Sequence, residues 1–212
     1  MTRIKICGLS TAETVSASLA GGADFLGFMF FAASPRAISP EAARRLAQPA
    51  RGKAKIVAVT VDPDDELIDH LVEIVEPDLI QLHGSETPAR ARQIAGRAGA
   101  GVIKVIGVAA AADVQAARDY DGVAEHLMFD ARAPTASERP GGHGEAFDAS
   151  VLAGQTFTRP WFLAGGLDPW NVAAAIAASG APMVDVSSGV ERGPGLKDPA
   201  LIGAFIEAVR RA

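Results

Sequence analysis

The chain of 212 residues has one cysteine, Cys7. No internal disulfide can form, so folding does not depend on an oxidising compartment. There is no second thiol and no His pair at ligand spacing, which argues against a zinc site. A GxGxxG turn after the first strand and a Walker-type GxxxxGK[ST] are both missing, so no metal and no organic cofactor is expected. No apolar stretch approaches membrane-spanning length, and polar residues begin at Thr2 and Arg3 with no long apolar h-region after them, so neither a membrane helix nor a secretory leader is expected. A cytoplasmic enzyme without a membrane partner is therefore expected. Basic blocks are lacking as well: 20 Lys and Arg face 25 Asp and Glu, which argues against nucleic acid or an anionic membrane surface as partner. A small anionic substrate remains compatible, because a cradle of backbone N–H groups needs no net positive charge.

What the chain does have is a rhythm. Eight apolar, β-branched segments recur along it: Arg3–Cys7, Asp24–Phe30, Lys55–Val61, Asp78–His83, Gly101–Gly107, His126–Asp130, Trp161–Gly165 and Met183–Ser188. Most are nearly continuous in hydrophobicity, as strands of a parallel sheet covered on both faces are. Helical stretches lie between them at Ser39–Ala47, Asp64–Val75, Pro88–Ala98, Ala111–Arg118, Pro169–Ser179 and Pro199–Arg211, with a further start signal at Ser10 or Thr11 before Ala12-Glu13-Thr14. Capping oxygens followed by proline, as in Ser39-Pro40 and Asp168-Pro169, mark several of the starts. The spacing favours one (β/α)8 barrel domain, a closed eight-stranded parallel sheet over residues 1–212, above an open doubly wound sheet. Residues 131–148 break the rhythm with a Pro/Gly-rich polar stretch, read either as a mobile cover over the site or as a floppy insertion.

The last two strands run into glycine-bearing turns, Leu163-Ala164-Gly165-Gly166 and Val186-Ser187-Ser188-Gly189. Backbone N–H groups at such strand ends, with a helix following directly, make a phosphate cradle, and phosphate turns from the last two strands are a habit of this barrel. Catalytic groups are then expected at the strand carboxyl ends. Cys7 reads as a small buried hydrophobe, or as a thiolate stabilised by donors of the turn that Gly8 begins. Asp130 ends the run His126-Leu127-Met128-Phe129, whose apolar setting favours the uncharged carboxyl, whereas amides of the following loop would favour the carboxylate. Arg36, after Ser34-Pro35, reads as a fork for a substrate carboxylate or as a solvated surface charge. His83 either orients substrate or closes a loop. Asp185 shares the inward side with Ser187 by the two-residue alternation of a strand, and a buried carboxylate there needs a partner.

These residues, in this order, resemble the phosphoribosylanthranilate isomerases. The resemblance spans nearly the whole chain: Lys5-Ile6-Cys7-Gly8, Gly27-Phe28-Met29-Phe30 with Ser34-Pro35-Arg36, Gln81-Leu82-His83-Gly84-Ser85-Glu86, Phe129-Asp130, Gly141-Gly142-His143-Gly144, Leu163-Ala164-Gly165-Gly166-Leu167, and Asp185-Val186-Ser187-Ser188-Gly189-Val190-Glu191 with Gly195-Leu196-Lys197-Asp198. It departs from the family at His143, where threonine is common, and at Ala149, where an aromatic residue usually follows Phe-Asp. The resemblance implies a cofactor-free Amadori rearrangement of a phosphorylated substrate. Asp130 would be the general acid and Cys7 the base. Arg36 would hold the anthranilate carboxylate and the turns at Gly165-Gly166 and Ser188-Gly189 the phosphate, with His83 and Asp185 also facing substrate. It implies a monomer or a homodimer. A related phosphoribosyl-imidazole isomerase would use two aspartates, an indole-forming synthase a catalytic Lys with a Glu, and a non-catalytic sugar-phosphate sensor would need neither Cys7 nor Asp130.

Overall fold

The computed structural model describes residues 1–131 and 148–212, so the expected cover, including His143, lies outside the described residues apart from its two ends. Eight strands alternate with helices: β1 (Arg3–Cys7), α1 (Ala12–Ala20), β2 (Phe25–Met29), α2 (Pro40–Ala47), β3 (Lys55–Thr60), α3 (Asp65–Ile74), β4 (Leu79–Leu82), α4 (Pro88–Ala98), β5 (Gly101–Val108), β6 (His126–Ala131), β7 (Trp161–Leu163), α5 (Val172–Ser179) and β8 (Met183–Val186). A hairpin of β9 (Glu191–Gly193) and β10 (Leu196–Lys197) precedes the last helix, α6 (Pro199–Arg211). Every barrel strand pairs in parallel with its neighbour, and β8 returns to β1 to close the ring. The closed barrel read from the sequence is the fold observed.

Local chemistry explains the boundaries. Thr11, Ser39, Asp64, Thr87 and Asp198 each accept a backbone N–H of the first turn of the helix they precede, and α2, α4 and α6 begin with proline. Such caps contribute about 0.5–2 kcal/mol each. Of the two start signals before α1, the cap is Thr11.

Three connections differ from the sequence reading. After β5 the chain forms a 3₁₀ helix over Ala111–Tyr120, and its buried residues Val114, Ala117 and Tyr120 recur every three positions, the period of that helix and not of an α-helix. The helix after β7 begins at Val172, later than the expected Pro169, because Asp168 and Asn171 tie the preceding turn together. Asp168 Oδ1 accepts from the Trp170 and Asn171 N–H groups, and Asn171 Oδ1 accepts from the Asp168 N–H, all at 2.8 Å. Between β6 and β7 the described residues contain only a 3₁₀ turn, Ala149–Leu152.

The barrel interior is filled in its amino-terminal half by apolar side chains of alternating strand positions, among them Phe25, Val57, Leu79, Ile103, Met128, Phe162 and Met183. Phe25 and Phe162 meet edge to face at 5.0 Å between centroids, and His126 packs against both. A second, larger apolar layer lies between strands and helices. It is bridged by Lys104, which points outward from β5 and donates to Glu86 Oε2 at 2.6 Å. Apart from His126, the charged and polar inward-facing groups lie toward the carboxyl-terminal mouth.

Candidate active site

Three groups of residues gather at that mouth. The first surrounds Cys7, at the end of β1. Ser187, just beyond β8, donates its hydroxyl to the Cys7 carbonyl at 3.3 Å. Lys5, two residues earlier and on the same inner face, is fully buried and donates to Asp185 Oδ1 at 2.8 Å. Asp185 is therefore not an unpaired carboxylate; its partner was missed in the sequence because Lys5 sits in an otherwise apolar strand, although two-residue alternation places it beside Cys7.

The turn donors expected to support a Cys7 thiolate are engaged elsewhere: the Gly8 and Leu9 N–H groups both donate to the Gly27 carbonyl, at 2.9 and 3.0 Å. Burial pushes the Cys7 thiol above its ordinary value; Lys5 pulls it down, Asp185 adds to the rise and Lys197 opposes it. Whatever favours the thiolate comes from neighbouring ammonium groups and not from backbone amides, and burial outweighs it.

The second group is built on the hairpin after β8, for which the sequence reading had no structure. Arg36 is buried, not solvated, and its fork is held by the protein itself: Nε and Nη2 donate to the two carboxylate oxygens of Glu191 at 2.7 and 2.8 Å. Glu191 also accepts from Lys197 Nζ at 2.6 Å, and Lys197 donates in addition to the Ser187 carbonyl at 3.0 Å. Burial would raise the Glu191 carboxyl, but the Arg36 fork and the Lys197 ammonium outweigh it and hold it below its ordinary value. Burial lowers Lys197 despite Glu191. Glu191 occupies one edge of the guanidinium and leaves the Nη1/Nη2 edge for another carboxylate. Both hairpin residues stand in the quoted motif, but no period or spacing showed that they fold back onto Arg36.

The third group centres on Asp130, the inward residue two positions beyond Met128. His83 Nε2 lies 3.2 Å from Asp130 Oδ2, and His83 Nδ1 lies 3.5 Å from the Gln81 amide nitrogen. The Gln81 amide oxygen is buried without a partner among the described residues. Asp130 Oδ1 faces the turn after β7, 2.9 Å from where a Cβ on Gly165 would sit.

That turn and the one after β8 form one surface. Gly165 and Gly166 adopt φ of 87° and 61°, the left-handed region that glycine reaches without strain. A side chain on Gly189 would overlap the Leu167 carbonyl oxygen, so the two turns touch backbone to backbone. Among the described residues no protein acceptor meets the N–H groups of Gly166 and Leu167. The helix expected to follow each turn directly is absent from this place. A single 3₁₀ turn, Ser188–Val190, follows β8, and α5 starts nine residues after β7 ends. The donors that could form the expected cradle are turn amides.

Comparison with known proteins fits this geometry. The sequence matches the family described as N-(5'phosphoribosyl)anthranilate (PRA) isomerase over residues 4–208. The chain belongs to the phosphoribosylanthranilate isomerase family. It is 64% identical over 212 residues to an N-(5'-phosphoribosyl)anthranilate isomerase of Caulobacter sp. (strain K31), covering 100% of both chains. To the isomerase of Caulobacter vibrioides it is 64% identical over 209 residues, 98% of this chain and 95% of the relative. The crystal structure of phosphoribosyl anthranilate isomerase from Thermotoga maritima superposes with a TM-score of 0.89 at 37% identity, covering 100% of both chains. A 3-hexulose-6-phosphate synthase at 16% identity and a TM-score of 0.65 shares the fold alone. Family membership makes the chain an isomerase of tryptophan biosynthesis. No helix among the described residues is long and apolar enough to cross a membrane.

Proposed function

We propose that this isomerase converts N-(5-phosphoribosyl)anthranilate to 1-(2-carboxyphenylamino)-1-deoxyribulose 5-phosphate by general acid–base catalysis, with Asp130 as acid and Cys7 as base. The observation that carries this reading is that β1 and β6, three strands apart in the closed ring, each end in a buried inward-facing titratable group, Cys7 and Asp130, at one mouth. A solved relative in complex with reduced 1-(o-carboxyphenylamino)-1-deoxyribulose 5-phosphate, 34% identical with a TM-score of 0.84, supports the substrate class.

The steps balance without a cofactor. The Asp130 carboxyl gives its proton to the furanose ring oxygen as the bond from that oxygen to C1 breaks, and the aryl nitrogen lone pair forms the C1=N iminium. The Cys7 thiolate then takes the C2 proton; the C2–H electrons form C1=C2 and the iminium electrons return to nitrogen. The resulting enol becomes the ketone as C1 gains a proton and the C2 hydroxyl loses one. With His83 on Asp130 Oδ2, Oδ1 is the carboxyl oxygen turned toward the glycine turns. The free edge of Arg36 takes the anthranilate carboxylate, and the turns at Gly165-Gly166 and Ser188-Gly189, with Asp185 below them, receive the phosphorylated sugar.

Disappearance of the fluorescence of freshly made substrate on addition of the protein tests the activity. Asp130→Asn and Cys7→Ala are each expected to lower kcat by about two to four orders of magnitude with substrate still bound, the usual range for a lost proton-transfer group. A near-normal kcat in either variant moves that role to another residue. A relative from Thermotoga maritima is dimeric and has been made monomeric. For this cytoplasmic chain, monomer or homodimer is decided by sedimentation.

A further inference from the structure

We propose that Lys5 is the positioning residue that makes Cys7 available as a base: its ammonium, pinned by the Asp185 carboxylate, is the counter-ion of the thiolate. The proposal rests on the reading of Cys7 as the base and adds a residue through which that base acts.

Lys5 and Cys7 are two positions apart on β1, so both side chains enter the barrel, roughly 7 Å apart along the strand. The Lys5 stem lengthens toward the mouth, and its Nζ donates to Asp185 Oδ1 at 2.8 Å. Nothing stands between the ammonium and the sulfur from the β2 side, because the residue paired with Cys7 there is Gly27. A Cβ on Gly27 would lie 3.1 Å from Lys5 Nζ and 3.2 Å from Cys7 Sγ, so any larger residue would occupy the space the two groups share.

The charged groups around the sulfur come from three elements: Lys5 on β1, Asp185 on β8 and Lys197 on β10, with Glu191 and Arg36 behind Lys197. Of these charges Lys5 acts most strongly on the thiol, ahead of Asp185 and Lys197. Burial would lower the Lys5 ammonium, but Asp185 and Cys7 outweigh it and hold the group above its ordinary value, so it stays charged. A buried ion pair of this kind adds little stability over an apolar pair of the same volume. Its effect is on its neighbour: without Lys5, the thiolate would face burial and the Asp185 charge together.

The single cysteine makes the test direct, since alkylation by iodoacetamide and the ultraviolet absorbance of the thiolate both report Cys7, with Cys7→Ser as blank. In Lys5→Met the thiol is expected to titrate higher, its alkylation rate at neutral pH falling about tenfold or more, the factor of one pH unit. In Asp185→Asn it is expected to titrate lower, because the opposing charge is gone. The double variant Lys5→Met/Asp185→Asn leaves no uncompensated buried charge and is expected to titrate between Lys5→Met and the parent, which keeps the test readable should Lys5→Met not fold. The kcat of Lys5→Met is expected to fall in step and recover as pH is raised, with KM little changed. The proposal is overturned if Lys5→Met, or the double variant in its place, titrates like the parent, or if the two single variants move the thiol in the same direction, as mere loosening of the barrel would. A shifted titration with turnover untouched instead removes Cys7 as the base and leaves the coupling standing.

Discussion

At the scale of the residue, the site is a set of charges whose partners decide what each can do. Arg36 is the clearest case. Its Nε/Nη2 edge is fixed by Glu191, which is itself held by Lys197 and by the Gly195 N–H at 3.1 Å. A guanidinium clamped on one edge presents the other without further loss of rotamer freedom, so the hairpin aims the fork proposed to meet the substrate carboxylate. Arg36→Met is expected to remove about 1.5–3 kcal/mol of binding, the usual value of hydrogen bonds to a charged group. The KM rises roughly 10- to 100-fold at nearly constant kcat. An unchanged KM in steady-state kinetics, with the thermal midpoint confirming the fold, refutes the carboxylate contact. Glu191→Gln, which keeps the shape and removes the charge, is expected to repeat the effect in smaller measure.

At the scale of the element, the two glycine turns after β7 and β8 act as one piece because their backbones touch. Gly189→Ala forces its methyl into the Leu167 carbonyl, and one of the two turns must move. Overpacking of this kind costs about 1–3 kcal/mol. Here it also separates the amides of the cradle, so inhibition by inorganic phosphate is expected to weaken together with the fall in thermal midpoint. Unaltered phosphate inhibition in a destabilised Gly189→Ala protein places the phosphate elsewhere. The hairpin of β9 and β10 is the other element that matters. It returns Lys197 to the barrel mouth with its side chain 1% exposed, and so lets a residue distant from β1 act on the Cys7 sulfur.

At the scale of the whole molecule, the barrel divides into a dry amino-terminal half and a charged carboxyl-terminal half, and one buried histidine lies in the dry half. His126 packs against Phe25 and Phe162 with Nδ1 lacking a hydrogen-bond partner among the described residues and 3.8 Å from Glu125 Oε1, and burial outweighs Glu125 to hold it below its ordinary value of 6.5. Between 6.5 and the lower folded value the unfolded chain binds more protons, so stability rises with pH across that window, and acidification through it removes stability. His126→Phe is expected to show a smaller loss of thermal midpoint than the parent when pH is lowered from about 7 to about 5, a range that spans the reference value of histidine. An equal loss in both proteins, followed by calorimetry, assigns the acid sensitivity to other groups.

The sequence by itself determined the barrel, the strand ends and the positions of Cys7 and Asp130 at two of those ends. Two-residue alternation, strand–helix spacing and glycine turns are local properties, and each is written within a few residues of where it acts. It determined the starts of α2, α3, α4 and α6 for the same reason, since Ser39, Asp64, Thr87 and Asp198 cap amides only two or three positions ahead, but not that of α5. Only the tertiary structure decided which charges neutralise one another. Lys5 meets Asp185 across 180 positions and Arg36 meets Glu191 across 155, and electrostatic energy depends on separation in space, which chain order does not record. For that reason the charges that oppose the effect of burial on Cys7 come not from the neighbouring amides of its own turn but from ammonium groups delivered by the closure of the ring.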